Sequence, residues 1–166
     1  QAMEHKVTRL LSESAAPAEV MPEIIRTICE AFGFACGARM LLDKDARVMR
    51  TAEIWSVASP EVVEFVEADH PTMHTDSTGG LLRRVLANGK PVWITDVVAE
   101  VGFQRASRAA KAGLHAAFAF PIVFGNEILG VIEFFSRTSR SPDEVLLQSV
   151  GSIGAQIGQF MARRQA

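Results

Sequence analysis

Two apolar stretches separated by a short turn decide the fold of this chain: AAFAFPIV at residues 116–123 and EILGVIEFFS at residues 127–136. Phe124, Gly125 and Asn126 lie between them, and turn residues between two apolar runs predict a β-hairpin. Glu133 is the exception in strands that are apolar on both faces. Strands of this kind are covered on both sides, so we expect the hairpin at the centre of a sheet.

The faces of the hairpin follow from the length of its turn. If Gly125 and Asn126 form a two-residue turn, Phe118 faces Glu133 and Phe120 faces Val131, and side chains alternate between faces. One face then carries Ala116, Phe118, Phe120, Leu129, Val131, Glu133 and Phe135. The other carries Ala117, Ala119, Pro121, Ile128, Gly130, Ile132 and Phe134. Because the small residues of the second face let a helix approach closely, we assign the first face to a ligand pocket.

The rest of the chain supplies more strands and a helix at each end. Strands are expected at residues 36–42, 48–56 and 91–95, and longer helices at 22–32 and 144–164. A short helix is expected at 3–14, ended by Pro17, with further helical turns after residue 59. These elements predict an α+β fold in which an antiparallel sheet carries the terminal helices on one face and loops with short helices on the other.

The last helix has a regular apolar stripe. Its members are spaced by four and three residues: Leu146, Val150, Ile153, Ile157 and Phe160. This spacing is typical of a heptad seam and predicts a parallel homodimer through the terminal helices. Gly151, Gly154 and Gly158 lie beside the stripe and permit close helix approach.

Composition narrows the class of protein. The chain has 166 residues, 48% of them hydrophobic, with 17 basic against 19 acidic side chains. It has no basic block and no apolar run long enough to span a membrane, so we expect neither nucleic-acid binding nor membrane contact. Two cysteines, Cys29 and Cys36, are too few for a disulfide scaffold and indicate a reducing, cytoplasmic setting.

Several motifs, taken in order, resemble the GAF domains, most closely those of bacterial multi-sensor histidine kinases. The stretches that carry the resemblance are GL at 80–81, NGKPVWITDV at 88–97, AGL at 112–114, AFAFPI at 117–122, ILGVIEFFS at 128–136, PDE at 142–144 and IGAQIGQF at 153–160. The resemblance implies a sheet of five or six strands, a layer of terminal helices and a pocket on the opposite face. It divides the chain into a linker or signalling helix at 3–16 and the domain at 17–164.

The same resemblance implies a sensory and dimerising role without fixing the ligand. GAF domains bind cyclic nucleotides, bilins, haem, small metabolites or nothing, so the cofactor stays open. Neither cysteine lies between residues 70 and 112, where bilin-attaching members and the methionine sulfoxide reductases of this family keep theirs. This argues against a covalent bilin and against an enzyme.

Glu133 is the residue most in need of an explanation, because an acid buried in an apolar strand requires a partner or a raised pKa. Arg105, Arg108 and Lys111 are the candidate partners. Glu133 either holds a cationic or hydrogen-bonding ligand, or forms an internal salt bridge that fixes a helix over the sheet. The candidate pocket comprises Trp55, Trp93, Arg108, Phe118, Phe120 and Glu133. For Trp55 and Trp93 the alternative is ordinary core packing.

The histidines suggest no metal centre. His70 and His74 are four residues apart, but Pro71 disfavours the helix that would make this spacing a zinc site, and no third ligand is evident. The role of His115 is open. Three functions therefore remain: a sensory module that binds a small ligand and signals through its terminal helices, a ligand-free dimerisation module, and, ranked last, an enzyme.

Overall fold

The sheet has six antiparallel strands in the order β3-β2-β1-β6-β5-β4. A computed structural model describes residues 2–68, 72–74 and 80–165. The strands are β1 Cys36–Asp43, β2 Val48–Ser56, β3 Thr72–His74, β4 Val92–Ile94, β5 Ala117–Phe124 and β6 Glu127–Phe135. The α+β class and the central position of the β5–β6 hairpin are confirmed, because β6 pairs with β1 on its other side.

Within these described ranges, six helices cover the two faces of the sheet: α1 Ala2–Glu13, α2 Pro17–Phe32, α3 Pro60–Ala68, α4 Leu81–Asn88, α5 Ala106–Ala112 and α6 Glu144–Gln165. Helix α2 begins five residues earlier than expected, because Pro17 starts it rather than merely ending α1. Proline suits the first helical turn, where its missing N–H would have no intrahelical partner. The helix ends at Gly33 in the left-handed conformation, whose N–H donates to the Cys29 carbonyl.

The helices form two layers, each with its own core. The long-helix layer consists of α1, α2 and α6, and buries apolar residues that include Ile24, Phe134 and Ile153. The short-helix layer consists of α3, α4 and α5 on the opposite face, over a core that includes Met40 and Phe65. Helix α1 buries Met3, Val7 and Leu11 in the long-helix core, so the segment at residues 3–16 shares a core with the rest of the chain.

The register of the β5–β6 hairpin differs from the one predicted. Its turn is the two-residue turn expected, since Phe124 pairs with Glu127 and Val123 with Ile128. A register shift then lets Ile122 pair with Gly130, which brings Phe118 opposite Phe134. The prediction that Phe118 faces Glu133 and Phe120 faces Val131 is therefore wrong. Because β6 has one extra residue at the shift, Phe118 and Phe120 share a face of the sheet with Ile132 and Phe134 rather than with Val131 and Glu133.

The apolar stripe of α6 is buried within the chain. Its five residues are at most 1% exposed and belong to the long-helix core: Leu146, Val150, Ile153, Ile157 and Phe160. The prediction that this stripe contacts a second chain is therefore wrong, because its residues pack in the core of their own chain. A spacing of four and three residues serves a coiled coil and a helix packed on a sheet equally well.

Candidate functional site

Glu133 and Arg105 form a buried ion pair in the short-helix layer. Glu133 points from β6 toward this layer, and Arg105 is the residue immediately before α5. The guanidinium donates from Nη1 to Oε2 at 2.9 Å and from Nη2 to Oε1 at 3.0 Å. The side chains are only 7% and 3% exposed, so solvent screens this bidentate pair very little. Of the three candidate partners, Arg105 is the one with this contact, which ties the start of α5 to the sheet.

Aromatic rings surround the Arg105 guanidinium. Its carbon lies 5.3 Å from the ring centres of both Phe103 and Phe135. The Phe135 ring in turn packs edge-on against Phe65 of α3, with centroids 4.9 Å apart. Phe103 also lies against Gly80, where an added Cβ would meet its ring at 2.7 Å. These contacts connect α3, α5 and the start of α4 around one charged group.

Among the described residues, the gap that borders Glu133 under α3 is closed. The gap between the sheet and α3 that borders Glu133 is lined by Cys36, Ala38, Phe65 and Phe135, and it leaves no room for a water molecule. Within residues 2–68, 72–74 and 80–165, the short-helix layer is therefore packed tightly at the acid. A ligand reaching Glu133 would have to displace side chains of α3 or α5.

Arg108 lies away from this pair. It is exposed on α5 and borders a depression of about 180 Å³ between α3 and α5, together with Glu61, Glu64 and Lys111. Lys111 lies 3.8 Å from the Glu64 carboxylate, and both side chains are mostly exposed, so this contact contributes little stability. In the described part of the chain, Arg108 and Glu133 therefore border different openings.

The four aromatic residues predicted for the pocket lie in the other layer. Phe118 and Phe120 are buried in the long-helix core, and the half-buried Trp55 and Trp93 pack against it. Trp93 and Phe118 have ring centroids 5.2 Å apart. The expected grouping of these aromatics with Glu133 is wrong, because the β-bulge turns the Phe118 face of β5 toward the terminal helices.

Arg140 connects the end of α2 with β4 at the edge of the sheet. Its guanidinium lies over the rings of Phe34 at 5.0 Å and Trp93 at 5.5 Å, and Nη1 donates to the Phe32 carbonyl at 2.6 Å. Its own carbonyl accepts a hydrogen bond from the Trp93 indole at 2.9 Å. Arg140 was not predicted from the sequence, since a single arginine in a polar loop has no local signal.

His115 belongs to a polar cluster between the strands and α6. Its Nδ1 lies 3.1 Å from Asp96 Oδ1, and the Ser139 hydroxyl donates to Asp96 Oδ2 at 3.0 Å. Burial favours the neutral acid, but hydrogen bonds from His115, the Val98 N–H and Ser139 outweigh it and lower the pKa of Asp96. Ser139 contacts the carboxylate rather than the imidazole, so the cluster lacks the hydrogen bond that activates a serine nucleophile.

The remaining histidines and cysteines add no reactive centre to the described chain. His70 lies outside the described residues, and His74 falls in β3. No three potential metal ligands come together in the parts that the structure describes. Cys29 and Cys36 are both buried, and burial, followed by the nearby Cys36 and Glu30, raises the pKa of the Cys29 thiol. A thiol held in its protonated form is a poor nucleophile.

A six-stranded antiparallel sheet between a long-helix and a short-helix layer, with a buried charge pair under the short helices, defines the class of small α+β domains with GAF topology. The chain belongs to the GAF domain family, whose model matches residues 14–162. No curated protein matches the chain significantly. None of the described helices is long and apolar enough to cross a membrane.

Solved structures share the fold at low sequence identity. The GAF domain of a phosphoenolpyruvate-protein phosphotransferase from Coxiella burnetii is 12% identical, with a TM-score of 0.83 over 99% of this chain and 93% of that one. Free methionine-R-sulfoxide reductase from Neisseria meningitidis is 16% identical, with a TM-score of 0.77 over 98% and 89%. A domain of a putative two-component sensor histidine kinase from Sinorhizobium meliloti is 16% identical, with a TM-score of 0.68 over 92% and 95%.

Proposed function

We propose that this chain is a sensory or regulatory GAF module of a bacterial signal-transduction protein of the histidine-kinase type. It responds to a small molecule on the short-helix face and passes the response to the terminal helices of a homodimer. The likeness to a domain of a putative two-component sensor histidine kinase supports the context. The lack of a basic block is consistent with a cytoplasmic module that contacts neither nucleic acid nor membrane.

The Arg105–Glu133 pair is the observation that carries this proposal. A pair of apolar residues would hold α5 on the sheet at least as well, because desolvation offsets much of the attraction between buried charges. Such a pair is useful where a contact must open, since a polar or cationic effector can compete for Glu133. We therefore assign the effector to the region under α3 and α5, with α5 as the element that moves.

Strand β6 provides the path between the two layers. Glu133 and Phe135 point into the short-helix layer, whereas Ile132 and Phe134 point into the long-helix core. A displacement of β6 at Glu133 therefore alters the packing of residues next to it on the opposite face. An effector shifts this equilibrium only by the difference in its affinity for the two arrangements.

The dimer in this proposal uses the outward face of α6 rather than its buried stripe. Gly151, Ser152, Ala155 and Gln159 are exposed along this face. Helix α1 lies next to it, because the Thr8 hydroxyl of α1 donates to Gln156 at 2.7 Å. Two chains that pair here bring their terminal helices side by side without removing either α6 from its sheet.

A ligand-free interaction module is the second candidate. The tight packing beside Glu133 favours it, since the described gap next to this acid leaves no space even for water. In this alternative the Arg105–Glu133 pair has a purely structural role and the domain serves only to pair chains. In both candidates the domain is not itself an enzyme, a proposal that the burial of both thiols supports.

Native mass spectrometry of the purified domain, beside a denatured control and an absorbance spectrum, tests the proposal. We expect a dimer carrying extra mass that is lost on denaturation. A dimer of bare chain mass that also gains no mass after incubation with cell extract would favour the ligand-free module. A bare monomer would contradict both candidates.

A further inference from the structure

A cavity of about 400 Å³ lies on the long-helix side of the sheet, whereas the Arg105–Glu133 pair lies in the short-helix layer. It is bordered by the first residue of α2, Pro17, and by Met161 and Arg164 in the last turns of α6. Its remaining wall comes from β1, β5 and β6. The volume is within the range of small-molecule sites in proteins.

The cavity exists because the two hairpins of the sheet separate. Strands β1 and β6 pair only as far as Leu41 and Gly130. Beyond this point Leu42 still pairs with Met49 of β2, and Ile128 still pairs with Val123 of β5, but β1 and β6 no longer pair with each other. A second opening of about 400 Å³, which is lined by Leu86 of α4, shares Leu42, Lys44 and Ile128 with the first. The cavity is thus the long-helix side of a notch between the hairpins.

A buried arginine lines this notch with hydrogen-bonding capacity left over. Arg39 is 5% exposed and pairs with Glu53 through Nε at 2.5 Å and Nη2 at 2.9 Å. No residue in the described ranges accepts a hydrogen bond from its Nη1. Buried N–H donors without an acceptor are unfavourable, so an acceptor group in the cavity would be stabilised.

The other residues that line the notch indicate the chemical character of the rest of such a ligand. Lys44 and Arg164 add positive charge, while Glu127 lies 3.4 Å from Lys44 in an exposed, weak contact that another carboxylate can replace. Leu41, Leu129 and Met161 provide apolar surface, and Leu41 is 42% exposed. The notch therefore offers cationic donors beside an apolar wall.

We propose that this notch binds an amphipathic organic anion, a carboxylic acid on an unbranched apolar body. The carboxylate accepts from Arg39 and Lys44, and the apolar body covers Leu41 and Leu129. This site lies in the long-helix layer, apart from the effector region assigned under α3 and α5. Arg164 also donates to the carbonyls of Ser14 and Ala15, at 2.9 and 3.0 Å, so an occupant touches the joint between α1, α2 and α6.

Isothermal titration calorimetry with decanoate, below its micellar concentration, tests the proposal. We expect saturable binding with one site per chain and about tenfold weaker binding of decanol, which lacks the charge that strengthens a hydrogen bond to arginine. Leu129→Trp fills the notch and is expected to abolish binding. Val145→Trp, an equal change at an exposed position on the first turn of α6, is expected to leave it unchanged.

Two further variants separate the charges. Lys44→Gln is expected to weaken decanoate several-fold, and Arg39→Lys more strongly, because lysine cannot keep the bidentate contact with Glu53 and supply another donor. Equal decanoate affinity in the Leu129→Trp and Val145→Trp variants would overturn the proposal, as would decanol binding as tightly as decanoate. Non-saturable heats in the unmodified chain would overturn it as well.

Discussion

Removing one charge of the buried Arg105–Glu133 pair should strongly lower the stability of the fold. Glu133→Gln keeps the shape of the side chain but leaves the Arg105 charge buried without its carboxylate. Breaking a buried ion pair from one side costs about 3–5 kcal/mol. Urea denaturation should therefore show a loss of this size in the free energy of unfolding.

Two matched variants make that prediction specific. Glu127→Gln removes an acid from the same strand, but its contact with Lys44 is exposed, so the loss should stay below about 1 kcal/mol. The double variant Arg105→Met/Glu133→Leu replaces both charges with apolar groups and should recover most of the stability. If Glu133→Gln and Glu127→Gln are equally stable, the pair does not fix α5 to the sheet.

Asp96 makes the free energy of unfolding of the domain depend on pH in the acidic range. Its pKa is lowered in the folded state, so its contribution to stability is fully present above the unfolded value of about 3.9 and is lost as the pH falls through the lower folded value. The unfolding free energies of the unmodified chain and of Asp96→Ala should therefore converge as the pH is lowered from 5 toward 2. A constant difference over this range would contradict the assignment.

Among single residues, the sequence indicated Glu133 and three candidate partners, of which Arg105 is one, but not the other polar contacts. Glu133 is conspicuous as an acid in an apolar strand, and Arg105 lies in the segment that precedes that hairpin. Arg140 instead contacts Phe32, which is 108 positions away, and no local pattern encodes such a contact. His115 and Asp96 are also ordinary residues in the sequence until the fold brings them together.

The hairpin shows what local pattern can and cannot decide about an element. Apolar runs and a two-residue turn predicted both strands and their central position. The bulge between Ile122 and Val123 was not predictable, because its signal is one extra residue in an apolar run. That residue decides that Phe118 and Phe120 lie in the long-helix layer, away from Glu133. Two of the predicted pocket residues are misplaced for this reason.

The glycines of α6 allow a test of how closely this helix packs. An added Cβ at Gly158 would overlap the carbonyl oxygen of Val123 in β5, whereas one at Gly151 would meet nothing within 4 Å. Gly158→Ala should lower the unfolding free energy by about 1–3 kcal/mol, the usual cost of overpacking. Gly151→Ala should raise it by up to about 1 kcal/mol, since alanine favours helix.

Thermal or urea unfolding of the two alanine variants provides the comparison. The contact at Gly158 involves backbone, which cannot turn aside as a flexible side chain would. Equal stability of the two variants would mean that α6 does not lie on β5 as described.

For the whole molecule, the layered architecture and the family were predictable because motif order and hydrophobic periodicity reflect burial. Which surfaces stay exposed was not, since the α6 stripe fits a coiled coil or a sheet equally well. Its burial makes Ile157 a core residue rather than a contact between chains.

The exposed face of α6, and not its buried stripe, should be sensitive to charge in the proposed dimer. Ala155→Arg places a charge on the exposed face of α6 and should yield folded monomers by light scattering, with unchanged circular dichroism. Ile157→Glu buries a charge in the core and should unfold the chain instead. Ala110→Arg, on the exposed side of α5, is the control that should remain dimeric. A fully folded, monomeric Ile157→Glu variant would restore the coiled-coil seam.

We propose that the short-helix layer and the terminal helices are coupled through β6. Hydrogen exchange followed by mass spectrometry, comparing the unmodified chain with Arg105→Met/Glu133→Leu, tests it most directly because this variant removes the pair without leaving a buried charge. We expect altered exchange in α5, at residues 106–112, because an apolar contact replaces a charged contact that an effector could open, together with altered exchange in α6, at residues 144–165. Changed exchange in α5 with unaltered exchange in α6 would contradict the coupling.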